Sequence, residues 1–328
     1  MSAVKVHQVD AAEDGMRLDR WFRAHFPDLP HGRLQKLLRT GQVRVEGGRV
    51  KANTRLATGQ HVRVPPITTL PPKVNTRPQI SSEDTEFIQS LVIHQDSEII
   101  AINKPAGLAV QGGTKTARHV DGLLDGLRFG LKERPRLVHR LDKDTSGVLL
   151  LARSRSVAAA LSQALKKRSV TKLYWALVIG VPRIPQGKIN LALEKTGGHD
   201  GERVRVAGAN SPEAQHAETR YKVVESAGQR LAWLAMMPET GRMHQLRVHA
   251  AAIDHPIVGD GKYGGAEAFP GGDISGRLHL HARAILVPRP KGDVLRVEAP
   301  LQDHMQSSWR LLGFDPNAAV DIQEFDEL

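Results

Sequence analysis

The segment His139-Arg140-Leu141-Asp142-Lys143-Asp144-Thr145-Ser146-Gly147 is the densest polar cluster of this 328-residue chain, and it leads directly into the apolar run Val148 to Leu151. A carboxylate at such a loop-to-strand junction can attack an electrophilic carbon or take a proton when it is ionised. The same residues also make a well-formed turn. Asp142 and Asp144 would accept backbone N–H groups, and Gly147 would take a left-handed conformation. On composition alone the turn is the stronger reading. Asp142 and Asp144 are spaced for joint metal coordination, but Lys143 separates them and no third carboxylate is near in sequence.

The rest of the chain must position that cluster. Five prolines fall between Pro65 and Pro78, a stiff stretch that cannot pair as a sheet and reads as a linker over 66–87. Before it, Leu18, Trp21 and Phe22, then Leu34, Leu37 and Leu38, recur at helical spacing. Pro27 and Pro30 separate two short helices, and Gly41 ends the second. Val43 and Val45, then Val62 and Val64, alternate with arginine as small strands do. Beyond the linker, Ile99 to Ile102, Val148 to Leu151, Leu173 to Ile179, Ile189 to Leu193 and Arg203 to Val206 read as strands. Val157, Leu161 and Leu165 mark a helix closed by Lys166-Lys167-Arg168, cations favoured at that dipole end. Strands joined largely by hairpins, with helices outside, indicate an α+β fold.

Charge and composition narrow the class of partner. Lys and Arg number 46 against 35 Asp and Glu, a net charge of +11. Residues 1–65 carry twelve basic and six acidic side chains, whereas 315–328 carry five acids and no base and read as a disordered tail. A basic body suits a polyanion, because each cation near a phosphate releases condensed counterions. Aromatics are 4%, too few for a row of base-stacking platforms. The chain has no cysteine, which excludes disulfides, thiolate metal sites and a cysteine nucleophile. No apolar run approaches the ~18 residues of a membrane span. Asp10, Glu13 and Asp14 precede any apolar core, which argues against a secretory signal and for a cytoplasmic protein. Nothing in the sequence demands more than a monomer.

Two resemblances give these elements a function. Arg17-Leu18-Asp19, Leu34-Gln35-Lys36-Leu37-Leu38-Arg39 and Gly41-x-Val43-x-Val45 resemble the alpha-L RNA-binding domain, with Glu46 and Gln60 departing from its pattern in turns. That resemblance makes 1–65 a small αβ RNA-binding domain, with Arg17, Arg20, Arg33, Lys36 and Arg39 as candidate RNA-binding residues. The segment His139-Arg140-Leu141-Asp142-x-x-Thr145-Ser146-Gly147 resembles the catalytic loop of RluA-type pseudouridine synthases. Other blocks follow that family's order: Asn103-Lys104-Pro105-x-Gly107, Lys172-x-Tyr174-x-Ala176, Gly241-Arg242-x-His244-Gln245-Leu246-Arg247-Val248-His249, His255-Pro256-Ile257-Val258-Gly259-Asp260-x-x-Tyr263-Gly264 and Leu278-His279-Leu280-His281-Ala282. Two positions depart, Asp254 where glycine is frequent and Gln111 where histidine is.

The family implies a catalytic domain over 88–314, with a mixed, mainly antiparallel sheet and a central cleft. It implies Asp142 as the catalytic residue, Tyr174 as the aromatic against the base and Arg247 as the arginine paired with the aspartate. Arg140, Leu141 and Leu280 would bind substrate, with Arg140 filling the space that a flipped uridine vacates. The reaction breaks C1′–N1, turns the uracil and rejoins it through C5, so no cofactor and no metal are expected. His244, His249, His279 and His281 then read as structural or RNA-facing, lacking the carboxylate or thiol support of a zinc site. The blocks look most like the RluC-type enzymes, whose target is large-subunit ribosomal RNA. The alternatives are the same chemistry on transfer RNA, or an RNA-binding assembly factor with an idle pocket.

Overall fold

A computed structural model of the protein describes residues 4–67, 80–113, 118–197, 203–289 and 293–325. The chain divides into two compact units, Met1–Gln79 and Ile80–Leu328. In the first unit, β1 (Lys5–Gln8), β2 (Arg44–Val45) and β3 (His61–Val64) form an antiparallel sheet in the order β1-β3-β2. Helices α1 (Leu18–His25) and α2 (His31–Arg39) bury the residues whose spacing predicts them: Leu18, Trp21, Phe22, Leu34 and Leu38 join Val43, Val45, Val62 and Val64 in one core. Pro30 is the N-cap of α2 and Gly41 turns the chain out at φ +68. Strand β1 has no signal in the sequence, because Val4 and Val6 remain exposed and only Val9 is buried. Glu46, one of the two departures, sits at φ +48, and its Oε1 takes the His61 N–H at 2.5 Å.

The second unit begins with α3 (Ser82–Ser90), β4 (Val92–Gln95), β5 (Ile99–Lys104) and α4 (Val120–Leu123). After it come β6 (Arg136–Leu137), β7 (Ser146–Ala152), α5 (Arg155–Lys166), β8 (Thr171–Ile179), β9 (Gln186–Asn190), β10 (Leu193–Thr196) and β11 (Arg203–Val206). The last elements are β12 (Glu218–Ala227), β13 (Leu231–Pro238), α6 (Gln245–Ala252), β14 (Leu280–Pro288), β15 (Val294–Glu298) and α7 (Asp303–Leu312). Ten strands form one sheet along the path β4-β5-β7-β14-β8-β13-β12-β9, with β15 beside β14 and β6 beside β7. Among the described residues only β7 and β14 run parallel in it, so the sheet is mixed and mainly antiparallel. The predicted strand Ile189 to Leu193 is broken: β9 pairs with β12 up to Asn190, and Leu193 starts the separate hairpin β10-β11.

Two boundary expectations are corrected. The proline cluster suggests a linker over 66–87, but Ser81 caps α3 by accepting the Asp84 N–H at 3.1 Å, and Ile80, Phe87 and Ile88 pack into the core under β5 and β7. A Ser-x-x-Asp start followed by acids is a helix signal that the prolines mask. Residues 68–79 lie outside the described residues. The acidic composition suggests a disordered tail, yet Val320 and Phe325 are buried with Trp175, Trp233, Trp309 and Phe314, and Arg220 Nη1 donates to the Phe325 carbonyl at 2.6 Å. Two apolar anchors outweigh the acidic composition, of which Asp315 and Asp321 are exposed. Phe325→Ala should cost about 3 kcal/mol of stability, read as a lower urea midpoint. An unchanged midpoint would return this segment to a loose tail.

Candidate active site

The loop from β6 to β7 carries Asp142, and three features hold it in place. Lys104, wholly buried at the end of β5, sends its Nζ to the carbonyls of Pro105, Leu108 and Lys143, each at 2.9 Å. Burial lowers this lysine to about 7, against the pull of Asp144 and Asp142. Gly147 lies at φ +109, and a Cβ there would collide with the Ala282 backbone on β14. Ser146 Oγ meets His281 Nδ1 at 2.8 Å, and His281 Nε2 reaches the Ala299 carbonyl at 3.2 Å. Lys104→Met would leave three carbonyls without their donor, one of them on the Asp142 loop. It should lower the stability of the full chain by about 2 kcal/mol in urea titration. A smaller loss than Lys104→Gln would overturn the anchoring role.

Asp142, Tyr174, Arg247, Arg140, Leu141 and Leu280 all line one cavity of about 900 Å³. They come from separate stretches: the loop, β8, α6 and β14. Asp142 keeps about a third of its side chain exposed, at 32%. Leu141 and Leu280 are buried and form apolar wall. Arg140 is exposed, with Nη1 3.3 Å from Gln111 Oε1, so one departure from the family pattern touches a predicted substrate residue. Burial, with Asp142 as the lesser cause, raises the Tyr174 phenol above its ordinary value. It keeps its proton at neutral pH, which suits stacking on a base better than removing a proton. His139 Nε2 accepts the Leu150 N–H at 2.9 Å, and burial, assisted by Lys172, holds this imidazole near 4.

Arg247 is placed differently from expectation. Its bidentate partner is Asp260: Nε to Oδ2 is 2.8 Å and Nη2 to Oδ1 is 2.6 Å, with Asp260 at 1% exposure. Asp142 contributes to the arginine only as a nearby charge. His244 is within ion-pair range of Asp142, with Nε2 to Oδ2 at 3.8 Å. A planar fork satisfied by one buried carboxylate has no geometric need of a second. Asp254, the other departure, sits at φ +64 and so carries the turn that glycine makes elsewhere.

The sequence does not mark the rim as a basic surface, although Lys172 and Arg242 fall in the motif blocks. Lys166, Arg168, Lys172, Lys195 and Arg242 line the same cavity from separate elements and loops. Lys166 and Arg168 read as a helix end, which they also are. Of the N-terminal candidates, Arg17 and Arg39 share a groove with His31, Gln35, Lys51 and Asn53, whereas Arg20, Arg33 and Lys36 lie off it. Arg17 is already engaged with Asp19 at 2.6 Å. His279 and His281 are fully buried and serve structure, with His279 Nε2 2.8 Å from Ser308 Oγ. Among the described residues, no group of three or more His, Asp or Glu is arranged to hold a metal, and no helix is long and apolar enough to cross a membrane.

Comparison with known proteins shows the family of the chain. Residues 98–252 match the RNA pseudouridylate synthase family model. The chain is 35% identical to the ribosomal large subunit pseudouridine synthase C of Vibrio vulnificus, over 92% of this chain and 95% of that one. It is 36% identical to the mitochondrial RNA pseudouridine synthase 4 of Arabidopsis thaliana, over 89% of this chain and 78% of that one. Among solved structures, human RNA pseudouridylate synthase domain containing 4 superposes with a TM-score of 0.60 at 28% identity, covering 70% of this chain and 97% of that one. The chain belongs to the RluA family of RNA pseudouridine synthases, the isomerases that convert uridine in RNA to pseudouridine.

Proposed function

We propose that the protein modifies specific uridines of large-subunit ribosomal RNA, with Asp142 as the catalytic residue. The observation that carries this reading is the cleft itself: Asp142, Tyr174, Leu280 and Arg247 share one cavity of about 900 Å³ whose rim is basic. A stacked uridine cannot reach such a carboxylate, so the nucleotide flips out, at a cost of a few kcal/mol. Arg140, exposed at the mouth of the cleft, is suited to fill the gap it leaves. Leu280 and Leu141 wall the uracil, and Tyr174 stacks on it. Asp142 attacks the sugar carbon or the base, or takes a ribose proton. C1′–N1 breaks, C1′–C5 forms, and the proton lost from C5 is balanced by the one gained at N1. No oxidant, cofactor or metal enters that balance.

The ribosomal target rests on the relatives whose names state it, in Vibrio vulnificus and Escherichia coli among others, at 35% identity over more than nine-tenths of this chain. Transfer RNA has no comparable support. Residues 1–65, read as an alpha-L type domain, supply a second hold on the RNA, with Arg17, Arg39 and Lys51 around one groove. Deleting 1–65 should weaken ribosomal RNA binding about tenfold or more and flatten its salt dependence, because fewer counterions are released. Unchanged affinity in a filter-binding titration would remove this unit from the RNA contact.

The deciding experiment incubates purified protein with unmodified large-subunit ribosomal RNA and with bulk transfer RNA, then maps pseudouridine by carbodiimide labelling and reverse-transcription stops. New stops confined to ribosomal RNA are expected. Stops only in transfer RNA would move the target and keep the chemistry, and none in either would make the chain an assembly factor with an idle pocket.

A further inference from the structure

His244 occupies a costly backbone position. It is the N-cap of α6 and lies in the left-handed region at φ +53. A non-glycine residue there is strained and persists only where its surroundings fix it. Here the ring is held at one end and aimed at the other. Nδ1 lies 2.6 Å from the Tyr263 hydroxyl, and Nε2 lies 3.8 Å from Asp142 Oδ2, inside the cleft.

The Tyr263 oxygen already accepts the Val204 N–H from β11 at 3.3 Å. Burial raises this phenol, so it keeps its proton. The phenol proton can be given to Nδ1, the ring nitrogen in reach, while the same oxygen accepts from Val204. A hydroxyl that donates to Nδ1 leaves the ring proton on Nε2, the atom facing Asp142. The charged groups around the imidazole are Asp142, Arg247, Lys262 and Asp260. Burial, with Arg247 and Lys262, outweighs the two carboxylates and keeps the ring neutral near pH 7.

We propose that His244 is a positioning residue for Asp142: Tyr263 fixes it as the Nε2–H tautomer, and that N–H orients the carboxylate in the cleft. The proposal rests on the assignment of Asp142 as the catalytic residue. Its chemical sense follows from the placement of Arg247, whose fork is taken by Asp260. A neutral N–H donor steadies a carboxylate without binding it in a full ion pair, so the oxygen remains free to react. The 3.8 Å separation closes when RNA fills the cleft, as hydrogen bonds at apo sites commonly do.

The test has one arm that needs no turnover. In the full chain with ¹⁵N-labelled histidine, His244 should show an unprotonated Nδ1 and a protonated Nε2, and Asp142→Asn should shift the Nε2 resonance. Tyr263→Phe should replace that single tautomer with a mixture. In the second arm, single-turnover modification of a large-subunit ribosomal RNA transcript is compared for His244→Asn and His244→Gln. Asparagine tolerates positive φ but falls short of Asp142, whereas the glutamine amide reaches it. His244→Asn should bind RNA normally and slow about 10- to 100-fold, with His244→Gln recovering part of the rate. A merely structural role predicts the reverse order, because glutamine is the worse fit to φ +53. Asparagine at or above glutamine, or an Nδ1-protonated ring, overturns the proposal. A wild-type protein inactive on this transcript with the Nε2–H tautomer intact and responsive to Asp142→Asn overturns the ribosomal target instead.

Discussion

Asp142→Asn is expected to leave the fold and RNA affinity of the protein intact while abolishing pseudouridine formation, with a loss of at least about four orders of magnitude in single-turnover rate. The substitution replaces one oxygen by an NH₂ of nearly equal size at a side chain that is 32% exposed, so packing has little to lose. The loop that carries it is held independently of the carboxylate, by Lys104 Nζ on the Lys143 carbonyl and by Ser146 on His281. An amide neither attacks carbon nor accepts a proton at neutral pH, so each route open to a carboxylate closes at once. The same carbodiimide mapping reads the result, with urea midpoints and filter binding as controls. Stops that persist in the mutant at the wild-type rate would remove Asp142 from the chemistry. Lost binding would make it a structural residue of the loop.

The second large effect is on stability in mild acid. His279 and His281, fully buried on either side of Leu280, are held neutral: burial is the chief cause, lowering them to about 4 and about 3. The nearby His304 pushes both in the same direction. In the unfolded chain each titrates near 6.5, so between pH 6.5 and about 4 the unfolded state binds more protons than the folded one. Unfolding free energy is therefore fully supported above 6.5 and falls as pH drops through that window. Every tenfold difference in proton affinity between the folded and unfolded states is worth about 1.4 kcal/mol, so at pH 5 the two histidines together should cost about 4 kcal/mol. That is a large share of the roughly 5–15 kcal/mol typical of a folded protein. Urea titrations of wild type and of the His279→Gln, His281→Gln double variant between pH 7.5 and 4.5 read it. The variant should show a flatter pH dependence. Equal slopes would show that other groups govern acid unfolding. Because Ser146 follows the Asp142 loop and binds His281, activity should fall before global unfolding as pH decreases.

Much of this molecule is legible in its sequence, and the reason differs from part to part. Helices α1 and α2 bury one stripe each, so Leu18, Trp21, Phe22, Leu34 and Leu38 announce them by spacing. Strands β5 and β7 are apolar on both faces and read as continuous runs. Helix α6 gives no such signal. Gln245 to Ala250 are all buried and only Ala252 at its end is exposed, so the helix has no amphipathic period. The tail misleads for the opposite reason: two buried residues, Val320 and Phe325, decide its place, while its composition is dominated by acids.

The site divides in the same way. Local order along the chain determined the loop 139–147, its glycine and its carboxylate, because a turn that launches a buried strand is specified by adjacent residues. The family resemblance of the surrounding blocks marked Tyr174, Arg247 and Leu280 as members of one motif set. Only the tertiary structure decided who partners whom. Arg247 is satisfied by Asp260 thirteen residues on, His244 is the imidazole turned toward Asp142, and Lys104 holds the loop at Lys143, 39 residues downstream. Those pairings depend on how β5, β7, β8, β14 and α6 converge, on which carboxylate is sealed from water and on which keeps a face to the cleft. Burial and direction are properties of the packed sheet, and no spacing along the chain encodes them.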